Sequence, residues 1–94
     1  MKVRTSPQVD RLVSQTGGRL YVWTEPHRCC SGGITMLRTS AGAPKGRRFR
    51  MHEASAFDLW FEDGVDPPDE LHLEVRGFRR KHVEAYWNGC IYRA

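Results

Sequence analysis

RLYVWTEPHRCCSGGITMLRT, residues 19–39, decides the fold. Its two ends alternate with period two, the spacing at which a strand sends successive side chains to opposite faces. Leu20 and Val22 share one face, Tyr21 and Trp23 the other. Two apolar faces predict a strand covered on both sides, by a helix or a second sheet. Pro26 is expected to stop that strand, because proline has no N–H to give a ladder. "ITMLRT" (34–39) reads as the returning strand. The unit is then hairpin-like, with Cys29 and Cys30 at its tip beside Ser31, Gly32 and Gly33.

Working toward the N-terminus, Ser6 is a fitting N-cap and Pro7 a fitting first helical residue. Val9, Leu12 and Val13 make an apolar stripe, and Gly17-Gly18 ends it. A helix of about three turns is marginal alone, so it must pack on the sheet. Toward the C-terminus, "AGAPKG" (41–46) is a loop by composition. "RFRMHE" puts Phe49 and Met51 on one face, with Arg48, Arg50 and His52 on the other. "FDLWFE" puts Phe57, Leu59 and Phe61 inward and leaves Trp60 in need of cover; 54–63 as a short helix is the alternative. "DGVDPPDE" is a turn-rich connector. "LHLEVRG" is the cleanest strand, with Leu71, Leu73 and Val75 inward and His72, Glu74 and Arg76 outward. The expected fold is a single α+β domain over 1–94, mostly β, with one short N-terminal helix and five or six strands.

Ninety-four residues bound this to one modest core. No apolar run approaches membrane-spanning length and no leader is visible, so a cytoplasmic protein is expected. Charge is unevenly spread. Twelve of the fifteen basic residues are arginines, "KGRRFR" (45–50) holds four cations, and Glu53 to Glu74 holds eight acids without a Lys or Arg. That polarity suits an acidic partner protein or a solvated surface. Nucleic-acid binding would require Lys45, Arg47, Arg48, Arg50, Arg79, Arg80 and Lys81 to form one patch.

Three cysteines leave at least one thiol free in an isolated monomer. The thiolate is both the nucleophile and a soft ligand for iron, zinc or copper(I). No Cys-x-x-Cys spacing is present, which argues against a zinc knuckle or a thioredoxin-type pair. Cys29, Cys30 and Cys90 are the candidate thiolates, and His27 is the one histidine beside the loop. Each cysteine would serve equally well as a small apolar core residue. Enzyme machinery is thin: Ser31 has no base placed for it, and the glycines lack a phosphate loop's Lys-Ser/Thr ending. Tyr86 and Trp87 read as core aromatics.

"VRTSPQVDRLV", "GGRLYVW", "RCCSGG" and "ITMLRTS" together resemble the A-type, HesB/IscA-like family of iron–sulfur carriers and scaffolds. The resemblance implies that family's compact α+β fold, a homodimer, and a loop thiolate for iron or an iron–sulfur cluster. Cys30 matches the loop cysteine, and Cys29 stands where the family commonly has glycine. The family's C-terminal Cys-Gly-Cys is absent from "WNGCIYRA", where Cys90 would stand in for one of its thiolates. The expected function is a non-catalytic carrier of iron or an iron–sulfur cluster on Cys29, Cys30 and Cys90, with His27 as an added ligand. The alternatives are a cofactor-free protein-interaction domain and a nucleic-acid binder.

Overall fold

The computed structural model describes residues 2–29, 32–53, 56–64, 69–77, 79–87 and 90–92. In chain order they form β1 (Lys2–Arg4), α1 (Pro7–Gln15), β2 (Arg19–Cys29), β3 (Gly32–Ser40), β4 (Phe49–Glu53), β5 (Asp58–Glu62), β6 (Glu70–Arg76), β7 (His82–Trp87) and β8 (Cys90–Tyr92). All eight strands join one mixed sheet in the order β1-β6-β7-β8-β3-β2-β5-β4. Its parallel pairs are β1 with β6, β2 with β5, and β3 with β8.

The helix starts and stops where local chemistry says it should. Ser6 Oγ accepts from the Val9 N–H at 3.3 Å, filling one of the donors a first turn leaves open. Beyond Gln15, the Gly18 N–H bonds back to the Val13 carbonyl at 2.9 Å. Gly18 does this at φ +77°, a conformation that costs a residue with a Cβ far more than glycine. Val9 and Val13 are buried against the sheet, with Leu12 half-covered beside them.

One face of the sheet and the inner stripe of α1 make the core: Leu20, Val22, Leu37, Leu59, Phe61, Leu71, Leu73, Val83 and Ala85, with Val9, Val13 and Phe57. The period-two reading of "FDLWFE" as a strand and of "LHLEVRG" as half-buried holds residue by residue. The other face divides in two. On β6 and β7 it is polar: His72 stacks on Tyr86 at 5.2 Å, Tyr86 donates to Glu74 at 2.9 Å, and Arg76 and Glu74 pair at 2.7 Å. On β2, β4 and β5 it is aromatic: Tyr21 stacks on Trp60 at 5.9 Å and meets the edge of Phe49 at 5.1 Å, and Trp23 meets Phe49 at 6.3 Å.

Four expectations change. The expected α+β class is corrected to a mostly-β fold, eight strands with one nine-residue helix. The two end strands are three residues each, too short to show a period. The helix covers the Leu20/Val22 face of β2, whereas Tyr21 and Trp23 are covered by neighbouring aromatic rings, not by a second layer. Met51 shares a strand with Phe49 yet is 47 % exposed, because β4 is the sheet's edge. Tyr86 is a half-buried outer-face residue held by Glu74, not a core aromatic.

Candidate functional site

Pro26 does not stop β2. The strand runs on to Cys29, with Pro26 opposite Thr35 and Cys29 opposite Gly32 on β3. The reason lies in which way the nitrogens face. The Thr24 N–H bonds the Glu62 side chain at 3.0 Å, so it points toward β5 and away from β3. Two residues on, the Pro26 nitrogen faces the same side. That side has no ladder to lose, because β5 pairs β2 only from Arg19 to Val22. The strand therefore tolerates proline and carries the chain further than the sequence rule allows.

The β2–β3 hairpin thus has a base inside the sheet and a two-stranded extension. At the base β2 is flanked by β5, and β3 is flanked by β8 at Met36 and Leu37. Among the described residues, positions 26–29 and 32–35 pair only with each other. Cys29 is the last residue of β2, and His27 lies opposite Ile34 two positions before it. Cys30 and Ser31, which join the strands in sequence, lie outside the described residues.

A polar clamp secures the base. Glu62 accepts from the Thr24 amide at 3.0 Å and the Thr24 hydroxyl at 2.9 Å, and pairs with Arg47 at 2.6 Å. Arg47 also donates to the Thr24 carbonyl at 3.2 Å, stitching the 41–47 loop to β2. Burial raises the Glu62 carboxyl, but the Thr24 amide and hydroxyl and the Arg47 guanidinium together hold it below the ordinary carboxylate range. Across the hairpin, Arg38 pairs with Glu25 at 2.7 Å.

Cys90 stands apart from the hairpin end. Ile91 is opposite Met36 in the parallel β8/β3 pair, which sets Cys90 level with Thr35, and Thr35 with Pro26. Two strand spacings of about 4.8 Å and an offset of three residues at about 3.3 Å each put the Cys29 and Cys90 Cα atoms roughly 14 Å apart in a flat sheet. A disulfide needs Cα atoms within about 7 Å. The backbone register therefore sets Cys29 and Cys90 too far apart for a disulfide in this sheet. The side chains of His27, Cys29 and Cys90, like Cys30 as a whole, lie outside what the structure describes. Among the described residues no group of three or more His, Cys, Asp or Glu is placed to hold a metal ion. The metal-binding and iron–sulfur labels therefore draw nothing from the described side chains.

The remaining candidates also fall in distinct places. The cations of 45–50 adjoin edge strand β4, whereas Arg79, Arg80 and Lys81 lie between β6 and β7. Four strands separate β7 from β4 in the sheet, so the two basic groups do not share one set of neighbouring strands. The Arg47–Glu62–Thr24 clamp was not visible in the sequence: its partners are 15 and 38 residues apart. No described helix is long and apolar enough to cross a membrane.

Comparison with known proteins corrects the resemblance. Residues 1–85 match the model of the "CC/Se motif containing family", and the chain belongs to that family. The HesB/IscA-like assignment, and with it the HesB/IscA-like fold and keywords, is overturned by that match. The short Ser-Gly loop and the helix-then-strand opening are features that small folds share, so they were too unspecific to carry it. No curated protein and no solved structure matches the chain.

Proposed function

We propose that this member of the CC/Se motif family is a small non-catalytic carrier that works through the thiolates of Cys29 and Cys30. Its cargo is thiophilic, an iron ion or an iron–sulfur cluster, held between the hairpin ends of two copies. One observation supports this above the others: the chain's only Cys-Cys dipeptide starts at Cys29, the last residue of β2, where among the described residues β2 pairs with β3 alone. The words of the family description point to the same dipeptide. Paired thiolates are soft donors, and two chains together complete the four sulfurs that a cluster takes.

The test is anaerobic purification with iron and sulfide analysis, a visible spectrum and a solution mass. The carrier reading expects iron on a dimer, lost in Cys29→Ser and Cys30→Ser and kept in Cys90→Ser. Colourless, metal-free protein after chemical reconstitution would overturn it.

A second reading is thiol redox chemistry, favoured by "Se" in the family description. Exchanging sulfur for selenium at one position strengthens a nucleophile without adding a ligand, which matters where the atom itself reacts. Metal-free protein whose Cys30 forms mixed disulfides much faster than Cys90 is the result this reading expects.

A further inference from the structure

A groove runs along the margin where α1 packs on the sheet. Two neighbouring cavities of about 180 and 220 Å³ share Leu12 and Lys81 in their walls. The first is walled by Val13, Leu20 and Val83, buried members of the core that the cavity reaches between α1 and the sheet. Its hydroxyls are already engaged: Thr16 donates to the Leu12 and Val13 carbonyls, Thr39 to the Val83 carbonyl, and Ser40 Oγ accepts from the Gly42 N–H. What it offers a ligand is therefore mostly apolar. The second cavity holds Arg11 with Gln8 and Gln15.

Charge sets the ligand's sign. Arg11 and Lys81 line these cavities, and no carboxylate lines either one. Neither cation is in an ion pair among the described residues. Lys81, shared by both cavities, and Arg11 in the second, beside an apolar slot, suit a single negative head on a hydrocarbon tail. A polyanion would find no further cations along the apolar slot. Arginine's planar fork matches a carboxylate by two parallel hydrogen bonds, and a nearby ammonium adds a point charge.

We propose that this groove binds a small amphipathic carboxylate, its head between Arg11 and Lys81 and its tail over Leu12, Val13, Leu20 and Val83. The site is independent of the thiol reading, since none of its residues belongs to the hairpin end.

The experiment is an NMR titration of ¹⁵N-labelled protein with octanoate, and with 1-octanol as the neutral chain of equal length. Octanoate is expected to give saturable shifts at Leu12, Leu20 and Val83, with octanol at least tenfold weaker. Arg11 and Lys81 are both exposed, so their glutamine variants leave the packing intact. Arg11→Gln and Lys81→Gln should each weaken octanoate at least fivefold, and Cys30→Ser should bind as the parent does. Shifts that do not saturate, that map elsewhere, or that are unchanged in the Arg11→Gln/Lys81→Gln double variant would overturn the proposal.

Discussion

The base and the end of the β2–β3 hairpin are built from one continuous pair of strands, yet the sheet treats them differently. At the base, Val22 and Leu37 are fully buried, β5 and β8 flank the pair, and Glu62 binds Thr24 from the side. From Pro26 and Thr35 outward, among the described residues, the same two strands have only each other. A two-stranded ribbon is marginal by itself, so the end depends on the base for its order. The apolar burial that holds the fold lies at one end of the pair, and Cys29 at the other.

The largest effect should come from the base. Phe61→Ala removes a fully buried ring beside β2 and should cost about 3–5 kcal/mol in urea denaturation. A comparable loss from Cys29→Ser would break the contrast, because it would mean that the end carries core energy too.

Glu62→Gln comes next, at about 1–3 kcal/mol, since it leaves the half-buried Arg47 without its charge partner. The same variant has a pH signature. The Glu62 carboxyl is held below its ordinary range in the folded protein, so its stabilisation is full above the unfolded value. It is lost as pH falls through the folded value. Thermal melts should show the parent losing more stability than Glu62→Gln across that acidic window; parallel curves would remove the clamp from the account.

Hydrogen exchange sharpens the comparison directly. Amides of Val22 and Leu37 should exchange at the slow, globally unfolding limit, and those of His27 and Ile34 at least tenfold faster through local opening. Equal protection would make the hairpin one rigid unit.

The smallest change in stability is expected for Cys30→Ser, within about 0.5 kcal/mol, as for a substitution that disturbs no core contact. It should nevertheless abolish bound iron or rapid thiol reactivity. Retained activity at unchanged stability would move the function away from the dipeptide.

Much of the fold was legible because burial imposes a period. Leu71, Leu73 and Val75, and Phe57, Leu59 and Phe61, lie on the core face that their spacing assigns them. Ser6, Pro7 and the glycine pair marked both ends of the helix, since caps are local chemistry. Pro26 misled the reading. The rule against proline in strands assumes a neighbour on the N–H side, and whether β5 reaches that far is a matter of strand length elsewhere. The site was half legible: the adjacent cysteines stood out as a dipeptide, while the distance of Cys29 from Cys90 depended on β8 pairing with β3.

The sequence by itself determined one capped helix, the core-facing residues of β5 and β6, and a single Cys-Cys dipeptide. Those are consequences of neighbours along the chain, within reach of a period or a cap. Tertiary structure decided the eight-strand order, the continuation of β2 through Pro26, the Glu62 clamp and the cationic groove beside α1. Each joins residues far apart in the chain, and only the packing of the whole sheet fixes which of them meet.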